Sequence, residues 1–133
     1  MGNNISLISK TSFIHFEELQ ENVLHTSNNM VLINTFSKDN QHCLIQNTLS
    51  IDEEEKEINT LLRYKKKDKM IVIYGKNYHD ERLVKKVNQL THLGLQNVKV
   101  YYGGLFEWMC LQEIYGSELF PTTSNETDIL KYK

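Results

Sequence analysis

Short apolar runs alternate with amphipathic stretches along this chain. Met30-Val-Leu-Ile33, Met70-Ile-Val-Ile-Tyr74 and Val98-Lys-Val-Tyr-Tyr102 are rich in branched residues, and polar residues or glycines follow each of them. That pattern predicts buried strands. Cys43-Leu-Ile45 with Thr48-Leu49 predicts one more brief extended segment. Between the runs the period becomes helical. Phe16, Leu19, Val23 and Leu24 recur at that spacing, with Glu17, Glu18 and Glu21 between them. Ser50-Ile-Asp-Glu53 is a capping box that opens a helix carrying Ile58, Leu61 and Leu62 on one face. Leu83, Val87, Leu90 and Leu93 mark a third helix, and Gly94 suits its left-handed stop. A last helix is predicted from Leu105 to about Tyr115, halted by Gly116. The tail beyond Pro121 is polar until Ile129-Leu130, and is expected to lie over the surface or fray.

Strands alternating with helices predict βαβ units and a parallel sheet covered on both faces. Ligands of such sheets sit outside the carboxyl ends of the strands. Asn34-Thr35-Phe36, the loop 75–82 and Gly103-Gly104 should therefore meet at one end of the sheet.

Composition narrows the function classes. The 133 residues suit one domain, and 40% hydrophobic with 24% charged residues is ordinary for a soluble protein. A formal net charge of −2 provides no field for nucleic acid, so no nucleic-acid partner is expected. Cys43 and Cys110 have no CxxC or metal spacing, and fit free thiols in a reducing, cytoplasmic setting. No apolar run reaches the roughly 18 residues of a membrane span. Met1-Gly-Asn-Asn-Ile-Ser6, however, fits the pattern for N-myristoylation at Gly2. One such chain gives weak, reversible membrane attachment. Lys10 and Lys65-Lys66-Lys67 are poor second signals, and the lysine cluster reads first as a solvated loop.

The chemistry should lie in the strand–loop–helix junction from Met70 to Arg82, where α/β domains hold anions or raise nucleophiles. Its loop contains neither cysteine nor serine. Lys76, Asn77, Tyr78 and His79 can offer amides and a cation. Asp80 and Glu81 read as favourable charges at a helix N-terminus. They also oppose any anion that Arg82 and the amides would attract. His79 reads as a surface imidazole rather than a base, and His15, His25, His42 and His92 lack ligand spacing. No metal and no cofactor is expected. Cys110 reads as a small buried residue, whereas Cys43 lies in a loop that could approach the same sheet end. Tyr101, Tyr102, Phe106 and Trp108 should pack the last strand on the last helix. Any exposed members would form a recognition surface beside the loop.

The order of these motifs resembles the rhodanese-like (sulfurtransferase) domain family over about residues 12–116. Val31-Leu-Ile-Asn34 resembles its first core strand, and Leu44-Ile-Gln-Asn-Thr-Leu49 its His-Ile-x-Gly-Ala-Ile segment. Ile71-Val-Ile-Tyr74 resembles the strand that leads into the catalytic loop. Gly94-Leu-Gln-Asn-Val-Lys-Val100 with Gly103-Gly104 and Trp108 resembles the closing signature. The resemblance implies three α/β/α layers around a mostly parallel sheet of about five strands. It leaves residues 1–11 as an N-terminal segment and 117–133 as a tail. It also implies a catalytic cysteine directly after the strand, at Gly75. Counting back from Arg82 reaches Asn77, or Lys76 for a phosphatase-type loop, and none of the three is a cysteine. The family's strand-end aspartate is Asn34 here, its arginine Phe36 and its histidine Leu44. Asp80-Glu-Arg-Leu83 resembles the degenerate loops of centrosomal rhodanese-like proteins. Sulfur transfer needs a thiolate stabilised by loop amides and a helix N-terminus. The expectation is therefore an inactive domain that binds a protein partner through residues 75–82, with weak membrane tethering at Gly2. The alternatives are a sulfurtransferase using Cys43 and, below it, a phosphatase-like relative.

Overall fold

The computed structural model describes residues 12–25 and 30–133. Four parallel strands form one sheet: β1 (Ser12–Phe13), β2 (Met30–Asn34), β3 (Met70–Tyr74) and β4 (Val98–Val100), in the spatial order β1-β4-β3-β2. Four α-helices accompany them among the described residues: α1 (Phe16–Leu24), α2 (Ile51–Arg63), α3 (Arg82–His92) and α4 (Gly104–Tyr115). Strand alternation divides the core into two layers. Leu32, Val72 and Tyr74 join Leu19 and Val23 of α1 and Leu105, Trp108 and Met109 of α4. Val31, Ile33, Ile71 and Ile73 face the other way, onto Ile58 and Leu61 of α2 and Leu83, Val87 and Leu90 of α3. The sheet is thus covered on both faces, and the central runs of β2 and β3 are mainly apolar for that reason.

Local signals account for most element ends. The Ser50 side chain accepts from the Glu53 N–H at 3.1 Å while the Glu53 carboxylate accepts from the Ser50 N–H at 2.9 Å, closing the capping box. Gly94 takes φ +97° just past α3. Strand β4 stops at Val100, although the Tyr101 N–H still donates to the Ile73 carbonyl at 2.9 Å.

Leu24 and Leu93 follow the helical period but lie at helix ends, where they are 39% and 43% exposed. Two expectations need correction. The segment 43–49 forms no strand, only an isolated antiparallel bridge between Ile45 and Thr122. The edge strand is Ser12–Phe13 instead, two residues paired with β4 and too short to show a period. The C-terminal tail neither frays nor merely lies over the surface. Phe120 and Tyr132 are buried in the core, the Trp108 Nε1–H donates to the Pro121 carbonyl at 3.1 Å, and the Thr123 N–H donates to Leu44 at 2.7 Å. Farther along, the Glu126 carboxylate pairs with Lys131 and with His42.

Buried Tyr74 ties these pieces to the sheet. Its hydroxyl accepts from the Ile45 N–H at 3.0 Å and lies 2.7 Å from the Thr48 hydroxyl. Burial pushes that phenol well above its ordinary pKa, so it stays neutral and holds residues 45–48 as an uncharged anchor.

Candidate functional site

Three strand ends meet as the sequence requires. Thr35 follows β2, the loop 75–81 follows β3, and Gly103 with Gly104 follows β4. Gly75 is buried at the root of the loop. A β-carbon added there would lie 2.3 Å from Asp80 Oδ2 and 2.8 Å from Thr35 Oγ1. Any larger residue would have to displace the Asp80 carboxylate.

That carboxylate sits in a cradle of loop and helix donors. Asp80 Oδ2 accepts from the Lys76 N–H and from the Thr35 hydroxyl, each at 3.2 Å. Asp80 Oδ1 accepts from the Arg82 N–H at 3.0 Å, in the first turn of α3. A loop amide, a hydroxyl and a helix N-terminus thus converge on one internal carboxylate.

The loop is fixed from outside as well. The Leu105 N–H donates to the Gly75 carbonyl at 2.9 Å and the Phe106 N–H to the Lys76 carbonyl at 2.8 Å, which satisfies the first amides of α4. Gly104 permits this approach. It sits at φ +69°, and a β-carbon there would come within 2.7 Å of both carbonyl oxygens. Asn77 accepts from the His79 N–H at 2.8 Å and donates to the Tyr132 carbonyl at 2.9 Å, so the tail buttresses the loop. The Arg82 guanidinium donates to the Thr35 carbonyl at 3.4 Å.

Beside the loop, an amide and an aromatic ring stand where the resemblance implies an aspartate and an arginine. Buried Asn34 accepts from the Phe36 N–H and from Gln41 Nε2, both at 2.9 Å, and donates to Gln41 Oε1 at 3.0 Å. The Phe36 ring stacks on Tyr132 and meets Tyr74 edge-on. These contacts leave the corner uncharged.

Neither cysteine has an activating environment. Cys43 is 1% exposed in the core, its thiol donating to the Ser124 carbonyl at 3.8 Å. Cys110 is half-buried rather than buried, and desolvation, then the Glu107 charge, push its thiol upward.

Two hollows flank the loop. A polar recess of about 340 Å³ is lined by Lys76, Asn77, His79, Asp80, Glu81 and Arg82. A larger cleft of about 1220 Å³ opens toward the β1 edge, between the loop, the start of α1 and the turn after β4. The structure therefore gathers every loop residue singled out in the sequence, with Gly75 buried, Asp80 half-buried, and Tyr78, His79, Glu81 and Arg82 exposed. The aromatic cluster divides: Tyr101 and Trp108 are core, whereas Tyr102 is 40% exposed in the cleft. Phe13 and Glu17 belong to the cleft and were not foreseen, since only the edge pairing of β1 brings them there. Gly2 lies outside the described residues. Among those described, no helix is long and apolar enough to cross a membrane.

Comparison with known proteins agrees with this fold. The rhodanese-like domain family model matches residues 16–110. The solution structure of a rhodanese-like domain from Anabaena sp. is 18% identical, over 85% of this chain and 79% of that one, with a TM-score of 0.61. A crystal structure of a protein from Bacillus halodurans is 17% identical over 82% and 79%, TM-score 0.61. A thiosulfate sulfurtransferase from Pseudomonas aeruginosa is 15% identical over 77% of this chain and 19% of its own, TM-score 0.59. At such identities the likeness is one of fold. No curated protein sequence matches the chain.

Proposed function

The chain belongs to the rhodanese-like domain family, and from that premise we propose that it is a member without sulfurtransferase activity, serving as a binding or regulatory module for a protein partner. One observation carries the reading. The position directly after the strand, where the resemblance implies the nucleophile, is Gly75, and the space a side chain would need there is taken by the Asp80 carboxylate, hydrogen-bonded in place. A fixed negative charge there opposes a thiolate, a persulfide and an anionic sulfur donor alike.

Sulfur transfer through Cys43 is the rival, and its support is weaker because that thiol is enclosed by core side chains. A thiosulfate:cyanide assay on the wild type and Cys43→Ser separates the two. The expected result is no turnover above the uncatalysed rate in either protein. Cyanide-dependent turnover by the wild type, lost in Cys43→Ser, would overturn the proposal.

Reversible membrane tethering at Gly2 is a separate part of the reading, supported by the N-terminal sequence pattern. Co-expression with an N-myristoyltransferase should add one myristoyl mass to the intact protein. An unmodified mass would remove the tether.

A further inference from the structure

The large cleft beside the loop differs in character from the filled cradle. Its walls carry exposed rings: Phe13 at 40%, Tyr78 at 55% and Tyr102 at 40% exposure. The rings touch one another. Phe13 meets Tyr102 edge-on at 5.5 Å between centroids, and Tyr78 lies 5.9 Å from Tyr102. Carboxylates rise among them from three separate elements: Glu17 on α1, Glu81 on the loop and Glu107 on α4. Asp80 also reaches this wall, but its oxygens are committed to the loop. Glu107 accepts from the Tyr101 hydroxyl at 2.6 Å. Glu17 and Glu81 take part in no ion pair among the described residues. Among the described residues, His15 and His79 are the basic side chains of the wall, and no lysine or arginine lines it. Outside the wall, Lys99 pairs with Glu18 at 3.8 Å, Arg82 donates to the Thr35 carbonyl, and Lys76 lines the adjoining recess.

Exposed ring faces beside unpaired carboxylates favour a cation that can be partly desolvated. Arginine meets that requirement better than lysine. Its planar guanidinium is weakly hydrated, lies flat on a tyrosine or phenylalanine, and still offers N–H groups to a carboxylate in the plane. The dimensions favour a peptide over a free small molecule, because the cleft exceeds the roughly 300–1,000 Å³ of usual small-ligand sites. We propose that this cleft, between Phe13, Tyr78, Tyr102 and the carboxylates of Glu17 and Glu81, binds an arginine-bearing peptide segment of a protein partner. The proposal builds on the binding-module reading and names the chemistry of the partner.

The test uses the full chain, labelled with ¹⁵N, and three blocked heptapeptides of sequence Gly-Leu-X-Gly-X-Leu-Gly, where X is arginine, lysine or glutamate. Amide shifts are followed during titration. The arginine peptide should give saturable shifts centred on Phe13, Tyr78 and Tyr102, the lysine peptide should bind about tenfold more weakly, and the glutamate peptide should not bind. Glu17→Gln/Glu81→Gln should weaken the arginine peptide about tenfold. Both positions are exposed, so that variant should retain the fold. Equal binding of the arginine and glutamate peptides, shifts centred outside the cleft, or no saturable shift would overturn the proposal. Failure here and failure of the non-catalytic reading are distinct. An inactive chain that ignores the arginine peptide refutes only the cleft, and a chain that turns over thiosulfate yet binds the peptide refutes only inactivity.

Discussion

The loop after β3 and the cleft beside it share Tyr78, His79, Asp80 and Glu81 but reach opposite states. In the loop, donors are consumed internally: the Lys76 and Arg82 amides by Asp80, the His79 amide by Asn77. Its carbonyls at Gly75 and Lys76 are capped by α4. In the cleft, rings and carboxylates remain open to solvent. One side chain turned inward thus fills the loop, while rings and carboxylates a few residues away stay exposed. The arrangement costs the scaffold little, because the carboxylate that fills the cradle also caps α3.

The contrast can be broken most forcibly at Gly104. Gly104→Ala places a methyl group against the Gly75 and Lys76 carbonyls at a left-handed φ. Backbone strain and overpacking together should cost about 3 kcal/mol, read as a lower urea midpoint. A variant as stable as wild type would show that α4 does not clamp the loop.

Gly75→Cys tests the filled cradle directly. The introduced side chain must displace Asp80, and the lost hydrogen bonds should cost about 1–2 kcal/mol. Combining it with Asp80→Gly empties the space and returns the Lys76 and Arg82 amides to the sulfur. Alkylation of that thiol by iodoacetamide near neutral pH should then be about tenfold faster than in the single variant. Equal rates would mean that Asp80 does not govern the site.

A cleft substitution should act in the opposite manner. Tyr102→Ala removes ring contacts with Phe13 and Tyr78 from a surface position, so its stability cost should stay below about 1 kcal/mol. A larger loss on thermal unfolding would make Tyr102 a structural residue and weaken the contrast.

The smallest effect lies in the tail that supports Asn77. Hydrogen bonds from Lys131 and then His42 lower the Glu126 carboxyl to about 2 from its ordinary 4.5. A depressed carboxyl contributes stability above its unfolded pKa and loses it as pH falls through the folded value. The melting temperatures of wild type and Glu126→Gln should therefore differ at pH 5 and converge as pH drops from about 4.5 to about 2. A gap that persists at the acid end would assign the difference to something other than this carboxylate.

The sequence by itself determined the strand–helix order, the capping box at Ser50, the glycine stops, and a junction with no sulfur in it. These are legible because period, capping and turn chemistry act between residues a few positions apart. Leu24 and Leu93 obey the period yet stay exposed, since a helix end can leave its core while its sequence pattern continues. Only the tertiary structure decided that Asp80 turns back over Gly75 to meet Thr35, 45 positions away in sequence. It alone seated Tyr132 under the loop, enclosed Cys43, and brought Phe13 and Glu17 to face Tyr78 and Tyr102. Such contacts arise from how helices dock on a twisted sheet, and pairings between distant segments leave no period in either one.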